Sequence, residues 1–166
     1  IAAAALWLLA RDPDALMLVQ PSDHVVADTE AFHRAVMQGI AAAQSGRLVT
    51  FGVRPTRPDT GYGYIQAGGP LTGADGVRIV DRFVEKPNRE TAERFLSDGN
   101  FLWNSGIFLL SARAYLDELA RINPAMLSAC EGATKAGQED LAFFRLDRAA
   151  FAEAPSLSID HAVMEH

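Results

Sequence analysis

Charged, amide and glycine residues that could do chemistry are concentrated in five short segments of this 166-residue chain. The segments are residues 21–24, 60–64, 83–87, 103–108 and 158–165. Carboxylates can bind a hard cation such as Mg²⁺, an ammonium group can face a phosphate as a point charge, and glycine lets a backbone approach a ligand closely. These groups suit a ligand that carries both phosphate and hydroxyl groups.

Two aspartates are candidate metal ligands. Asp23 lies in the segment 21–24, which follows the apolar run 16–19, and in open α/β sheets the ligand crevice lies at the carboxyl ends of strands. Asp23 could equally cap a turn or the helix that follows. Asp160 is a second candidate ligand or else a helix cap, and the sequence alone cannot bring it to Asp23.

Three further segments supply candidate ligand contacts. Glu85 can accept from hydroxyl groups and Lys86 can face a phosphate, but neighbours in a strand point to opposite faces, so a twist or bulge near Pro87 must bring them together. Asn104 can donate to and accept from a hydroxyl. Gly63 allows close backbone approach. The plain alternatives are a surface ion pair for Glu85 and Lys86, an Asx-turn for Asn104 and a simple turn at Gly63.

Several functional classes are excluded or disfavoured. There is no P-loop, no zinc-spaced Cys/His cluster and no GxSxG elbow, and residues 61–66 fail the dinucleotide-binding pattern. A net charge of −6 with no basic run argues against nucleic-acid binding. The apolar residues 1–10 are too short to span a bilayer. Cys130 is the single cysteine, which favours a reducing, cytoplasmic setting.

The elements that must position these residues alternate between helical and strand patterns. Predicted helices cover residues 2–10, from Asp28 or Thr29 to about 45, from Asn88 to Gly99, from Ser111 onward, and most of the chain after Pro124. Predicted strands cover 16–19, 48–53, 63–67, 77–84 and 107–110. The first two strands and the helix between them predict a parallel β-α-β unit, and 63–84 predict an antiparallel excursion. We predict an α/β fold with a mostly parallel sheet, helices and an inserted antiparallel element.

Taken in order, the segments resemble one enzyme family. They read Pro21-Ser22-Asp23-His24, Gly61-Tyr62-Gly63-Tyr64-Ile65, Phe83-Val84-Glu85-Lys86-Pro87, Trp103-Asn104-Ser105-Gly106 and Ser158-Ile159-Asp160. The series resembles the sugar-phosphate nucleotidyltransferases, and most closely the bacterial mannose-1-phosphate guanylyltransferases. The resemblance implies a Rossmann-like α/β nucleotidyltransferase fold and an Mg²⁺-dependent reaction of GTP with mannose 1-phosphate.

The resemblance also implies roles for individual residues. Asp23 and Asp160 would hold the metal, Glu85 and Asn104 would bind sugar hydroxyls, Lys86 would bind the sugar phosphate, and Gly63 would face the sugar through its backbone. Asp23, Lys86 and Asp160 would be the catalytic set. The expected partners are therefore GTP and mannose 1-phosphate, with no nucleic acid and no membrane, and a homo-oligomer is allowed.

The family's glycine-rich loop, which carries Gly-Thr-Arg and holds the nucleoside triphosphate, has no counterpart in this sequence. We therefore expect residues 1–166 to be the carboxy-terminal part of one nucleotidyltransferase domain and to be inactive alone. His161 and His166 stand where the family commonly has a tyrosine and a basic residue. Thymidylyl- or uridylyltransferases acting on glucose 1-phosphate, a non-catalytic homologue, and an α/β domain without activity remain the alternatives.

Overall fold

The computed structural model describes residues 1–165, and His166, one of the two departures noted above, lies outside the described residues. The helices are α1 Ala2–Leu9, α2 Thr29–Gln44, α3 Arg89–Asp98, α4 Ala112–Ile122, α5 Pro124–Lys135 and α6 Arg148–Ala152, followed by a π-helical turn at Asp160–Met164. The strands are β1 Leu16–Val19, β2 Val49–Val53, β3 Tyr64–Pro70, β4 Arg78–Val84, β5 Phe101–Ser111, β6 Gln138–Asp140 and β7 Phe143–Arg145. The chain forms two compact units, one of residues 1–17 and 111–164, the other of residues 18–110 and 165.

The larger sheet has the order β1-β5-β3-β4, with β2 also pairing with β5, and most of its residues belong to the unit of residues 18–110. β5 runs antiparallel to both β2 and β3, and β3 runs antiparallel to β4. β5 therefore organises the sheet, since it is the strand that contacts three others. Residues on β5 therefore lie next to residues of β1, β2 and β3, which are distant from them in the sequence.

Capping residues begin and end the two helices of this unit. The Asp28 side chain accepts from the Ala31 amide at 2.8 Å, and the Asn88 side chain accepts from the Thr91 amide at 2.9 Å. Each satisfies an amide that has no partner within its helix. Gly99 ends α3 in the left-handed region with φ 76°, which glycine adopts without strain. The predicted caps Asp28 and Asn88 are confirmed.

The core of this unit next to α3 is aromatic. Tyr64, Phe95, Phe101 and Trp103 are buried together with Ala92, and Val84 packs against them. The Phe95 and Phe101 rings stack with their centroids 3.8 Å apart. This cluster contains residues of β3, β5 and α3, so it fixes the strands that carry the candidate site residues.

The unit of residues 1–17 and 111–164 is mainly helical. Its buried side chains include Ala5, Tyr115, Leu119, Cys130 and Val163. Burial raises the pKa of Tyr115 to about 12 and also raises the pKa of the Cys130 thiol. A thiol whose pKa is raised is mostly protonated and therefore a poor nucleophile, so the buried Cys130 is a packing residue.

One prediction about the fold is wrong. β1 and β2 were expected to pair with each other in a mostly parallel sheet, but each pairs with β5, and the β2–β5, β3–β5 and β3–β4 pairings are antiparallel. A buried strand reads as an apolar run whatever its partner, so the sequence does not show that a strand from residues 101–111 pairs with both. The region after Pro124 also contains the β6–β7 hairpin in addition to its helices. The α/β class itself is confirmed.

Within residues 1–165, no helix is long and apolar enough to cross a membrane.

Candidate sugar-phosphate site

Strand register places three of the predicted site residues in one row. Tyr64 of β3 lies opposite Trp103 of β5 and opposite Val84 of β4. One residue further on, the Asn104 amide donates to the Gly63 carbonyl at 2.7 Å, so the β3–β5 ladder extends to Gly63. Because side chains alternate between faces, Gly63, Asn104 and Glu85 share the face opposite to the aromatic core.

Gly63 leaves the space that the row encloses. A Cβ built on Gly63 would overlap the Glu85 carboxylate, and it would lie 3.4 Å from both the Asn104 Cβ and the Phe83 ring. Any side chain at position 63 would therefore displace Glu85 or fill the gap between Glu85 and Asn104. The need for glycine here is steric and comes from the neighbouring strands, since Gly63 is not among the residues with positive φ.

Asn104 lies at a bulge in β5. Thr50 pairs with Phe108 and Gly52 pairs with Asn104, so β5 has two more residues than β2 between these pairs. Gly106, inside the bulge, has φ 71°. The Asn104 Oδ1 accepts from the Thr50 hydroxyl at 2.9 Å and from the Gly106 amide at 3.3 Å. The bulge therefore interrupts the regular β2–β5 ladder, and the contacts beside it anchor the Asn104 carboxamide.

The backbone at Lys86 brings an acid and a base to the same place. Lys86 has φ 42°, a left-handed conformation that is uncommon for a residue with a side chain. Its Nζ lies 3.5 Å from Glu85 Oε1, although neighbours in a regular strand would diverge. The Glu85 side chain is 15% exposed and the Lys86 side chain 63% exposed. The twist that the sequence required near Pro87 is present, and strained backbone of this kind is typical of functional sites.

The loop that precedes Gly63 is fixed by Asp59. The Asp59 carboxylate accepts from the Gly61 amide at 2.9 Å and from Arg57 at 2.8 Å. The hydrogen bond from Gly61 is the largest cause that holds the pKa of Asp59 below its ordinary value, and the contact with Arg57 adds to it. The contact with Asp59 raises the pKa of Arg57. The buried Tyr64 hydroxyl accepts from the Asp59 amide at 3.0 Å and donates to the Asp59 carbonyl at 2.9 Å.

Aromatic contacts hold the same loop against β5. The Tyr62 ring meets the Trp103 ring edge-on, with centroids 5.1 Å apart, and the Arg57 guanidinium lies 5.4 Å from the Trp103 centroid. Trp103 and Tyr62 directly precede Asn104 and Gly63 in the sequence. The packing on one face of the sheet thus fixes the backbone that presents Gly63 and Asn104 on the other.

The two predicted metal ligands lie in different compact units. Asp23 is exposed in a turn after β1, and Asp160 is half-buried at the start of the π-helical turn. A Cβ at Gly106 would lie 3.5 Å from Pro21, so the turn that carries Asp23 passes beside the β5 bulge. Residues 1–165 hold no group of three or more His, Cys, Asp or Glu side chains that could bind a metal ion. The metal role of Asp23 and Asp160 stays a prediction.

Sequence reasoning missed three residues that organise the site. They are Thr50, which bonds Asn104, Asp59, which fixes the loop, and the Tyr64 hydroxyl, which holds Asp59. Asp59 lies two residues before Gly61 in a proline- and glycine-rich stretch, which is the spacing of an Asx-turn and could have been recognised. Thr50 carries no such signal, since its partner is 54 residues away.

The sequence profile of the nucleotidyl transferase family matches residues 2–149 of this chain. The chain belongs to the nucleotidyl transferase family. The match includes Asp23, Gly63, Glu85, Lys86 and Asn104, whereas Asp160 lies beyond its end. The expected family and fold class are therefore confirmed at the level of a nucleotidyl transferase.

Relatives within this family are similar over nearly the whole chain. The xanthan biosynthesis protein XanB of Xanthomonas campestris is 52% identical over 165 residues, which is 99% of this chain and 34% of XanB. The mannose-1-phosphate guanylyltransferase of Escherichia coli K12 is 47% identical, over 99% of this chain and 35% of that protein. The chain thus spans about a third of the length of these curated relatives.

Solved structures of relatives agree in fold. A protein of Helicobacter pylori named mannose-6-phosphate isomerase superposes with a TM-score of 0.86 and 36% identity, covering 99% of this chain and 63% of that one. A Thermus thermophilus protein named mannose-1-phosphate geranyltransferase superposes with a TM-score of 0.80 and 34% identity, covering 99% and 46%. This nucleotidyl transferase chain therefore shares its fold with part of each of these larger proteins.

Proposed function

We propose that the complete product of the gene encoding this chain transfers a guanylyl group from GTP to mannose 1-phosphate, giving GDP-mannose and pyrophosphate. We propose that residues 1–166 contribute the sugar-phosphate part of the site and its metal ligands. The observation that carries the proposal is the row of Gly63, Glu85 and Asn104 across three strands, with Lys86 beside Glu85. The name of the Escherichia relative, mannose-1-phosphate guanylyltransferase, supplies the reaction and the sugar phosphate, and the name of the Xanthomonas relative indicates polysaccharide biosynthesis.

The row has the donors and acceptors that a sugar phosphate requires. Glu85 is mostly buried and offers carboxylate oxygens to sugar hydroxyls, an arrangement in which charge-assisted hydrogen bonds are strong. Gly63 carries no side chain, so its backbone can lie close to the sugar. A side chain at this position would collide with Glu85. The exposed Lys86 ammonium can leave Glu85 and follow a phosphate, since its flexible stem carries a compact charge.

The reaction needs no nucleophile from the protein. An oxygen of the sugar phosphate attacks the α-phosphorus of GTP, and pyrophosphate leaves with the electron pair of the broken bond. Lys86 and Glu85 orient the attacking group, so the chain contributes positioning and charge compensation. Asp23 and Asp160 would hold Mg²⁺, which when bound neutralises charge on the α-phosphate. Two carboxylates with water and phosphate oxygens fit Mg²⁺, so a larger acidic cluster is not required.

We also propose a cytoplasmic setting and no nucleic-acid or membrane partner. The single cysteine is buried and reduced, and the net charge of −6 does not suit a nucleic acid. The supply of both substrates as phosphorylated metabolites agrees with this setting.

Pyrophosphate release tests the proposal. The complete gene product and residues 1–166 alone are each assayed with GTP, dTTP, UTP or ATP against mannose 1-phosphate or glucose 1-phosphate, with and without Mg²⁺. A separate assay follows conversion of mannose 6-phosphate to its ketose isomer, because isomerisation releases no pyrophosphate, and it tests the activity named for the Helicobacter pylori relative. We expect turnover by the complete product with GTP, mannose 1-phosphate and metal, and none by residues 1–166 alone.

Other outcomes separate the alternatives. Turnover with dTTP or UTP and glucose 1-phosphate would keep the reaction class and overturn the specificity. No turnover with any pair would favour a non-catalytic homologue. If the complete product is active, Asp23→Ala and Asp160→Ala should each raise the Mg²⁺ concentration needed for half-maximal activity. Asp28→Ala, which removes a helix cap outside the site, is the matched control.

A further inference from the structure

Asn104 is oriented by contacts that fix which end of its amide faces the sheet. The backbone amide of Gly106 can only donate, and it lies 3.3 Å from Asn104 Oδ1. The atom it faces must therefore be the carboxamide oxygen and not the nitrogen. The Thr50 hydroxyl, 2.9 Å from the same oxygen, then acts as a second donor.

The Thr50 proton has two candidate acceptors, and one is closer. The Asn104 oxygen lies at 2.9 Å and the Ile107 carbonyl at 3.4 Å. A hydroxyl has a single proton, so Thr50 donates mainly to the closer acceptor, and the longer contact is at most the weak branch of a bifurcated hydrogen bond. Thr50 is β-branched and sits within β2, so few side-chain rotations are open to it and the hydroxyl is held toward β5.

We propose that Thr50 is a positioning residue for the sugar site, which acts through Asn104. The Thr50 hydroxyl and the Gly106 amide both donate to the Asn104 oxygen, so together they fix the orientation of the Asn104 carboxamide. Removal of the Thr50 hydroxyl therefore loosens the side chain that contacts the sugar in the proposed site. This inference rests on the proposed function, because the identity of the ligand as a sugar phosphate comes from there.

The placement of Thr50 agrees with this role. Thr50 and Gly52 face the same side of the sheet, and Gly52 is the register partner of Asn104. The β5 bulge, which leaves two extra residues opposite this stretch of β2, brings Asn104 within reach of Thr50. Without the bulge, Thr50 would continue a regular ladder and its hydroxyl would have no site residue to orient.

The experiment compares Thr50→Val, which keeps the shape and removes the hydroxyl, with Thr50→Ser, which keeps the hydroxyl. Both are made in the complete gene product, alone and combined with Asn104→Ala, and Thr50→Ala is the second variant that lacks the hydroxyl. KM is measured separately for mannose 1-phosphate and GTP, calorimetry follows binding of mannose 1-phosphate, and thermal unfolding checks folding.

We expect Thr50→Val to raise KM for mannose 1-phosphate by about threefold to tenfold, the worth of one hydrogen bond, and to leave KM for GTP unchanged. Thr50→Ser should stay within about twofold of the unchanged protein. In the Asn104→Ala background, Thr50→Val should add less than about twofold, because the two residues act as one unit.

An additive loss in the double variant, or an equal rise in KM for GTP, would overturn the inference and assign Thr50 a purely structural role. Failure of the unchanged protein to turn over or bind mannose 1-phosphate would overturn the proposed function itself and this inference with it. Binding that is unaffected by Thr50→Val and Thr50→Ala would overturn the inference alone.

Discussion

The two sides of Gly63 are built in different ways. On the β5 side, Asn104 is held by its own amide to Gly63, by Thr50 and by the Gly106 amide. On the β4 side, Glu85 and Lys86 follow the last residue of a strand, and Lys86 is exposed with a left-handed backbone. In the proposed roles, Asn104 binds a hydroxyl and is fixed in direction, whereas Lys86 faces a phosphate and keeps an exposed charge on a flexible stem.

The largest effect is expected at the residue between the two sides. Gly63→Ala should lower kcat/KM for mannose 1-phosphate at least about 100-fold, because the new methyl group overlaps the Glu85 carboxylate and stands against Asn104. Gly69→Ala is the matched control, since a Cβ at this glycine of the same strand meets no atom within 4 Å. Steady-state kinetics on both variants of the complete gene product checks this.

Equal kcat/KM values for Gly63→Ala and Gly69→Ala would contradict the assignment of Gly63 to a sugar site between the β4 and β5 sides. A second variant sharpens the outcome, because Gly63→Ala combined with Glu85→Ala removes the atom that the methyl group meets. Thermal unfolding of the pair should match that of Glu85→Ala alone, and calorimetry should show that sugar binding stays poor. If the pair recovers sugar binding, Glu85 has no part in recognition and the β4 side is only scaffold.

A smaller effect is expected from removing the charge on the β4 side. Glu85→Gln keeps the shape but weakens acceptance from sugar hydroxyls, and we expect KM for mannose 1-phosphate to rise about 10- to 100-fold, as for a hydrogen bond to a charged group. Glu93→Gln, in an exposed ion pair with Arg89 on α3, is the control and should change little. A comparable rise in both variants would contradict the assignment.

The strained backbone at Lys86 predicts a still smaller effect, of opposite sign for stability and for activity. Lys86→Gly relieves a left-handed conformation that costs a residue with a side chain roughly 1–2 kcal/mol. The greater conformational freedom of glycine in the unfolded chain offsets about half of that gain. Stability should therefore rise by up to about 1 kcal/mol, while kcat/KM falls because the phosphate loses its cation. Denaturant unfolding and kinetics on the same preparation measure both.

Leu141 provides the matched control for Lys86. It has φ 55° at the turn between β6 and β7, is almost fully exposed and belongs to the other compact unit. Leu141→Gly should gain similar stability and leave kcat/KM unchanged. A loss of stability in Lys86→Gly would mean that the lysine makes contacts that outweigh the strain, and the β4 side would then be as anchored as the β5 side.

Sequence reasoning reached the site residues and the local elements but not the pairing between strands. Asp28, Asn88 and Gly99 act locally, so their helix boundaries were predictable. Gly63, Glu85 and Asn104 were singled out by residue type and by resemblance. Their row depends on register between three strands and on the bulge at Gly106, and such register is set by contacts distant in sequence.

The anchoring of the site was hidden for the same reason. Thr50 sits in an apolar strand where a β-branched residue needs no explanation, and Trp103 reads as an ordinary core residue. A twist or bulge near Pro87 was expected as the condition for Glu85 and Lys86 to meet. The left-handed conformation of Lys86 was not predictable, because position 86 holds neither the glycine nor the asparagine that would signal it.

The smallest expected effect is a pH dependence of the loop that leads into Gly63 from the Asp59 side. The pKa of Asp59 is lowered by the Gly61 amide and by Arg57, so its carboxylate is favoured in the folded protein. A group with a depressed pKa contributes stability that is present above its unfolded pKa and is lost as pH falls through its folded pKa. The loop should therefore loosen below about pH 4, the ordinary range of an aspartate, and be insensitive from there to neutral pH.

Trp103 can report this change, because Tyr62 and Arg57 contact its ring and the sequence has two tryptophans. In a Trp7→Phe background, Trp103 fluorescence should shift below about pH 4, and Asp59→Asn should abolish that shift, since the amide still accepts from Gly61 but does not titrate. The same titration in both proteins is required, because other carboxylates protonate in this range. An identical shift in Asp59→Asn would show that Asp59 does not hold the loop, and the rigid presentation of Gly63 would then depend on Tyr62, Trp103 and the β3–β5 ladder.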